Sequence, residues 1–121
     1  MLAAYDDPPG VTAAFNRNLL IHVNRAFGGN FAIEAFRHQV RYDAPTRRIE
    51  MHLASLTRQQ CRAADRDVEF EPGETIWTES SYKFTPAGLR RMAAATGFRW
   101  VAEWMDQEWP FCETLWQAET A

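Results

Sequence analysis

The sequence predicts an α+β fold, mainly antiparallel, on three observations. Between Val11 and Phe27 apolar residues recur every four positions, a helical spacing. From Phe36 the period changes to two, and turn residues cut the chain beyond it into short segments. A helical signature returns at Pro86, ahead of two more strand-like runs.

Taken in order, Asp6-Asp7-Pro8-Pro9-Gly10 is a strong breaker, so a helix is expected to start near Val11. Val11, Phe15, Leu19, Val23 and Phe27 form its apolar stripe, with Arg17 and Arg25 falling away from it. Gly28-Gly29-Asn30 ends it, because these residues tolerate left-handed backbone angles. Phe36, His38, Val40 and Tyr42 alternate with Arg37, Gln39, Arg41 and Asp43, which reads as a half-buried strand. After the turn at 43–46, Ile49, Met51 and Leu53 oppose Arg48, Glu50 and His52, so the two strands form a hairpin. Arg58 to Ala63 and Asp67 to Phe70 are shorter strand candidates. Glu71-Pro72-Gly73 is a turn, and Thr75 to Phe84 is a long strand. Thr85 can cap a helix starting at Pro86, where proline is pre-shaped for the first turn. Leu89, Met92, Ala93 and Thr96 form its inner side, and Gly97 ends it. Phe98 to Asp106 is a strand with Phe98, Trp100, Ala102 and Trp104 on one face, and Phe111 to Trp116 is the last.

Bulk properties exclude several function classes. The 121 residues fit one domain or a piece of a larger one, and 46% hydrophobic residues make a folding composition. A net charge of -3, without a long basic run, argues against nucleic-acid binding. Arg37, Arg41, Arg47 and Arg48 are interrupted by other residues and read as a solvated strand face. Cys61 and Cys112 lie far apart, so neither a disulfide framework nor a zinc site is indicated. Free thiols suit a reducing compartment, and no apolar run approaches membrane-spanning length, so a soluble cytoplasmic protein is expected.

No glycine-rich loop follows a strand; Gly28-Gly29 follows a helix, the wrong context for a phosphate or dinucleotide cradle. His22, His38 and His52 lack metal-ligand spacing and read as ordinary surface or half-buried side chains. The most informative stretch is Trp77-Thr78-Glu79-Ser80-Ser81-Tyr82-Lys83-Phe84. On one strand, Glu79 and Ser81 would point to the same face, roughly 7 Å apart. A carboxylate and a hydroxyl at that spacing can grip the two nitrogens of an imidazole. On spacing alone, a solvent-facing pair is the default.

Several short blocks change that weighting. Tyr5-Asp6-Asp7, with Gly10-Val11-Thr12-Ala13 and Phe15-Asn16-Arg17-Asn18-Leu19, resembles the middle of the histidine-specific S-adenosylmethionine-dependent methyltransferases, which make trimethylated histidine for ergothioneine biosynthesis. Arg48-Ile49-Glu50-Met51 and Thr78-Glu79-Ser80-Ser81-Tyr82-Lys83-Phe84 resemble two later motifs of that family, in the right order. The resemblance spans essentially the whole chain, but only the C-terminal part of a family member.

The resemblance implies that residues 1–84 form the substrate-binding region. Residues 85–121 would supply a helix and strand pair that complete a Rossmann-like methyltransferase sheet. It also implies site roles. Tyr5 would hydrogen-bond the substrate carboxylate, where the plain alternative is a core tyrosine near a turn. Thr12 would line the amino-acid site, against a plain first-turn residue. Phe15 would supply an apolar wall and Met51 would pack near the imidazole, although both positions suit core. Glu79 and Ser81 would recognise the imidazole, a buried Glu79 being costly to leave unpaired by the wrong side chain. Asn16, Asn18 and Lys83 belong to the motifs without an assigned contact. The implied reaction moves a methyl group from the sulfonium of S-adenosylmethionine to the unprotonated α-amine of histidine, with alignment as the enzyme's main work. The family's cofactor site lies in segments before Tyr5, so the chain alone is expected to be inactive without an N-terminal methyltransferase portion. A stand-alone amino-acid-binding module and a non-functional fragment are the other readings.

Overall fold

The computed structural model describes residues 2–119 and divides the chain into two compact units, Met1–Tyr82 and Lys83–Ala121. The first unit holds α1 (Val11–Phe27), β1 (Phe36–Asp43), β2 (Arg48–Ser55), β3 (Gln59–Ala63), β4 (Arg66–Phe70) and β5 (Thr75–Tyr82). Short 3-10 turns at Leu2–Ala4 and Ile33–Ala35 precede α1 and β1. The main sheet is antiparallel in the order β1-β2-β5, and β3 and β4 form a separate hairpin. The second unit holds α2 (Pro86–Ala95), β6 (Phe98–Met105) and β7 (Cys112–Ala118).

The Asp7 carboxylate opens α1. It accepts from the Val11 N–H at 2.9 Å and the Thr12 N–H at 2.8 Å. An anion there satisfies first-turn donors and complements the helix dipole. The hydrogen bond from the Thr12 side chain, then those from the Thr12 and Val11 amides, hold the Asp7 carboxyl down to about 2. At the other end Gly28 adopts φ 59, the left-handed conformation that closes a helix. Gly29 must also lack a side chain, because a Cβ there would lie 2.8 Å from Asn24 Oδ1 and 3.0 Å from the Arg62 carbonyl.

The face that α1 turns inward differs from the expected stripe. Asn16 and Leu20 are buried, while Val11 and Phe15 are 69% and 67% exposed and Leu19 and Phe27 are also exposed. A four-residue repeat advances about 40° beyond a full turn at each step, so the stripe winds away from the sheet. Asparagines can sit on the inner side because their amides find partners there. Asn24, for example, bonds both the N–H and the carbonyl of Phe31 at 2.9 Å.

Leu20, Phe36, Leu53, Cys61 and Phe70 form the core, with Phe31, Ile33 and Ile76 packed against it. Phe36 and Phe70 meet edge to face at 5.3 Å between ring centroids. The strand β2 is central, and its second half, Met51 to Ser55, is buried throughout. His52, expected as an ordinary surface or half-buried side chain, is more deeply placed, at only 5% exposed. Its Nε2 pairs with Glu50 at 3.1 Å, its Nδ1 meets Thr75 Oγ1 at 3.2 Å, and its ring stacks on Trp77. Arg48 also leaves the expected solvated group. It binds Glu50 at 2.7 Å, and its guanidinium lies 4.3 Å from the centre of the Trp77 ring.

In the second unit Thr85 caps α2 as expected, accepting from the Gly88 N–H at 3.1 Å. Of the expected inner residues, Ala93 is buried and Leu89 half-buried, while Met92 and Thr96 are exposed. The expected aromatic face of β6 is split. Pairing with β7 shifts between Trp100 and Ala102, leaving Val101 as an extra residue. Phe98 and Trp100 therefore share a face with Trp116, whereas Ala102 and Trp104 share the opposite face with Leu115. The helix α2 covers the first of these faces: Arg90 bonds Glu103 at 2.7 Å and lies 5.2 Å from the Trp100 ring. No helix among the described residues is long and apolar enough to cross a membrane.

Candidate functional site

The strand β5 carries the motif residues, and a bulge decides where they point. Ile76 opposes Leu53 and Trp77 opposes His52, but the next pair is Glu79 with Met51. Thr78 is the extra residue, and its hydroxyl donates to the Met51 carbonyl at 2.9 Å. Directly opposed residues share a face. The inserted residue thus returns Glu79 and Ser81 to the side of Ile76, Met51 and Ile49, where Leu20 of α1 packs. Unbroken alternation would leave them beside Trp77. Bulges commonly re-aim a side chain in this way.

On that face the Tyr5 hydroxyl and Ser81 Oγ are hydrogen-bonded at 2.8 Å. Glu79 stands two residues from Ser81, with buried Met51 as its cross-strand partner. Glu79 and Phe15 line one cavity of about 300 Å³ with Asn16, Asn18, Leu19, His22 and Thr78. Glu79 is exposed there, which corrects the expectation that it is buried. Phe15 also faces this cavity as an exposed ring, not as core. Thr12 lines neither this cavity nor the Tyr5–Ser81 contact. Its amide and side chain are both engaged with Asp7, as a first-turn residue would be. A larger groove of about 610 Å³, lined by Arg17, Glu34, Arg37 and His38 among others, includes none of the six expected residues.

Beneath this face lies a polar chain that sequence reasoning missed. Asn16 is 3% exposed, and its Nδ2 lies 3.1 Å from the His52 carbonyl and 2.9 Å from His38 Nδ1. The other ring nitrogen of His38, Nε2, lies 2.8 Å from the Tyr5 carbonyl. The available signals were an asparagine one position past Phe15 and a histidine on the apolar phase of β1. Neither stands out without the partner's position. Among the described residues no cluster of three or more His, Cys, Asp or Glu side chains could hold a metal ion.

Comparison with known proteins places the chain among relatives of one family. A family model described as histidine-specific, S-adenosylmethionine-dependent methyltransferase matches residues 1–118. A histidine N-alpha-methyltransferase of Mycobacterium tuberculosis (strain CDC 1551 / Oshkosh) is 42% identical over 113 residues, covering 92% of this chain and 35% of the relative. One of Mycolicibacterium smegmatis (strain ATCC 700084 / mc(2)155) is 43% identical over 108 residues, covering 88% and 34%. The chain spans about a third of the length of these relatives. It belongs to the histidine-specific, S-adenosylmethionine-dependent methyltransferase family.

Proposed function

We propose that this chain is the amino-acid-recognising part of a histidine N-α-methyltransferase. The observation that carries the reading is the Tyr5–Ser81 hydrogen bond on the face that also holds Glu79 and Met51. Histidine's carboxylate and ring are separated by two tetrahedral carbons, so closely placed groups can serve both ends of one ligand. Tyr5 takes the carboxylate. Glu79 accepts from one imidazole N–H, and Ser81 serves the other ring nitrogen. Phe15 and Met51 supply apolar surface to the ring. Thr12 contributes indirectly, by fixing the start of the helix that carries Phe15.

The described residues do not fit S-adenosylmethionine. None forms a strand, glycine loop and helix in succession, since Gly28 and Gly29 close α1 instead of opening a helix. The cofactor site is assigned to a completing portion of the enzyme, supplied fused or as a separate chain. Residues 1–84 serve the substrate, and residues 85–121 lend α2 and β6–β7 to a Rossmann-like sheet. The exposed Trp104 and Leu115 support that assignment, because together they give β6–β7 an apolar outer face. A cytoplasmic location and an ergothioneine-type pathway belong to the same reading.

The test supplies the folded chain with the portion of the M. tuberculosis relative that it does not match. Methyl transfer to L-histidine is expected from the pair and from neither part alone. Glu79→Ala in the pair should raise the histidine KM on the order of tenfold to a hundredfold, the size expected for a hydrogen bond to a charged group. A folded pair that transfers no methyl group, or a Glu79→Ala pair with unchanged KM, would sink the reading.

A further inference from the structure

The buried polar chain under the site fixes its own proton positions. The His52 carbonyl can only accept, so the group of Asn16 facing it is the NH₂ end of the amide. The second N–H of that NH₂ faces His38 Nδ1, which therefore accepts. His38 Nε2 faces the Tyr5 carbonyl, another pure acceptor, so Nε2 carries the proton. Each donor meets an acceptor in this arrangement alone, and it selects one neutral imidazole tautomer.

We infer that His38, set by Asn16 as the Nε2–H tautomer, is a positioning residue that holds Tyr5 against Ser81. Its grip is on the backbone of Tyr5, while the side chain of the same residue reaches Ser81 at 2.8 Å. Tyr5 lies in a turn whose own amide bonds the Leu2 carbonyl at 2.8 Å. A short turn of this kind has little apolar surface to anchor it: Leu2 is 47% exposed and Ala3 and Ala4 are exposed. His38 ties this turn to β1, Asn16 ties His38 to α1, and the His52 carbonyl ties Asn16 to β2. The linkage thus crosses three elements to fix one hydroxyl. Asn16 follows Phe15 directly, so the same turn of α1 presents one side chain to the Glu79 cavity and the next to His38.

The substrate consequence rests on the histidine-pocket reading, whereas the holding of Tyr5 does not. Two measurements keep them apart. On the chain itself, long-range proton–nitrogen spectra of the imidazoles should show His38 protonated at Nε2 and bare at Nδ1 at neutral pH. Exchange of the amides of residues 2–7 and of Gly10 should then quicken in His38→Leu and return toward the original rate in His38→Gln, whose amide can still donate. Exchange in β2 and β5 should stay unchanged. An Nδ1–H tautomer, or a His38→Leu chain with undisturbed exchange at 2–7 and Gly10, overturns the inference; the tautomer measurement needs no variant to fold. In the completed enzyme pair, His38→Leu should raise the histidine KM about tenfold, as for loss of one well-placed hydrogen bond, with kcat changed much less. Added to Tyr5→Phe, the same substitution should have little further effect, because both act through one hydroxyl. Equal, additive effects overturn the positioning role. A pair with no methyl transfer removes the histidine reading, and the tautomer and exchange results still decide whether His38 holds Tyr5.

Discussion

Between Asp7 and the first turn of α1, a single carboxylate ties the segment carrying Tyr5 to the helix carrying Phe15. Its folded pKa of about 2 lies below the ordinary 3.8, so folding favours the ionised form. The stabilisation is therefore fully present above the ordinary value and is lost as pH falls from there through about 2. Asp7→Asn is expected to lower Tm at pH 7, with the gap from the unaltered chain closing as pH drops toward 2. Circular-dichroism melts across pH 2 to 7 check this, and a gap that stays constant would show that the charge is irrelevant. At this scale the sequence disclosed side chains but not their partners. Tyr5 and Ser81 were nameable, and they meet. Thr12 was nameable too, yet its hydroxyl turns to Asp7. Asn16 reads only as a motif residue without a contact and His38 as an ordinary side chain, because a buried amide or imidazole declares itself only when the donor and acceptor facing it are known.

Among the elements, β5 depends on one extra residue. Strand periodicity identified Thr75 to Phe84 and placed Glu79 and Ser81 on a common face, which the pairing with Met51 and Ile49 bears out. Periodicity could not say which face, because a bulge is a mismatch between two strands and leaves no mark on either alone. The same holds for β6, where Val101 separates Trp104 from Trp100. The helix α1 shows a related limit: its ends were legible from Gly10 and Gly28, but its inner face is set by Asn16 and Leu20, not by its largest apolar residues. Deleting Thr78 should restore plain alternation from Ile76 through Ser81 and leave Glu79 opposite Met51 and Ser81 opposite Ile49, on the side of Ile76. The expected result is a folded chain in which nuclear Overhauser contacts between Tyr5 and Ser81 persist. The milder Thr78→Val, which removes only the hydroxyl bond to Met51, should keep those contacts and cost about 1 kcal/mol in urea melts. If the deletion parts Tyr5 from Ser81, Thr78 is not simply an extra residue in an otherwise regular strand pair.

For the whole molecule, the α+β class and nearly every boundary were readable because each element carries its own period and punctuation. Exposure was not, since it depends on what lies opposite. The aromatic richness of the last segment was visible as Trp100, Trp104, Trp109 and Trp116, yet only the structure separates Trp100 and Trp116, which pack together at 5.9 Å, from Trp109 at 71% exposed. Each unit consequently carries apolar surface of its own. In the first it is Val11, Phe15 and Leu19 on α1; in the second, Trp104, Trp109, Phe111 and Leu115. Apolar residues scattered singly are ordinary, but runs of this kind on a small protein mark surfaces that meet another body. The net charge of -3 offers little repulsion to keep copies apart. The isolated chain should therefore bind a hydrophobic dye such as anilinonaphthalene sulfonate while keeping the near-ultraviolet dichroism of packed aromatics, which separates exposed native surface from a loosened core. Adding the relative's unmatched portion should suppress the dye signal. Phe15→Ser and Trp104→Ser should each lower it beforehand without loss of helix content. A chain that binds no dye, or one whose signal is indifferent to both substitutions and to the added portion, would mean that these faces are ordinary solvent-facing surface.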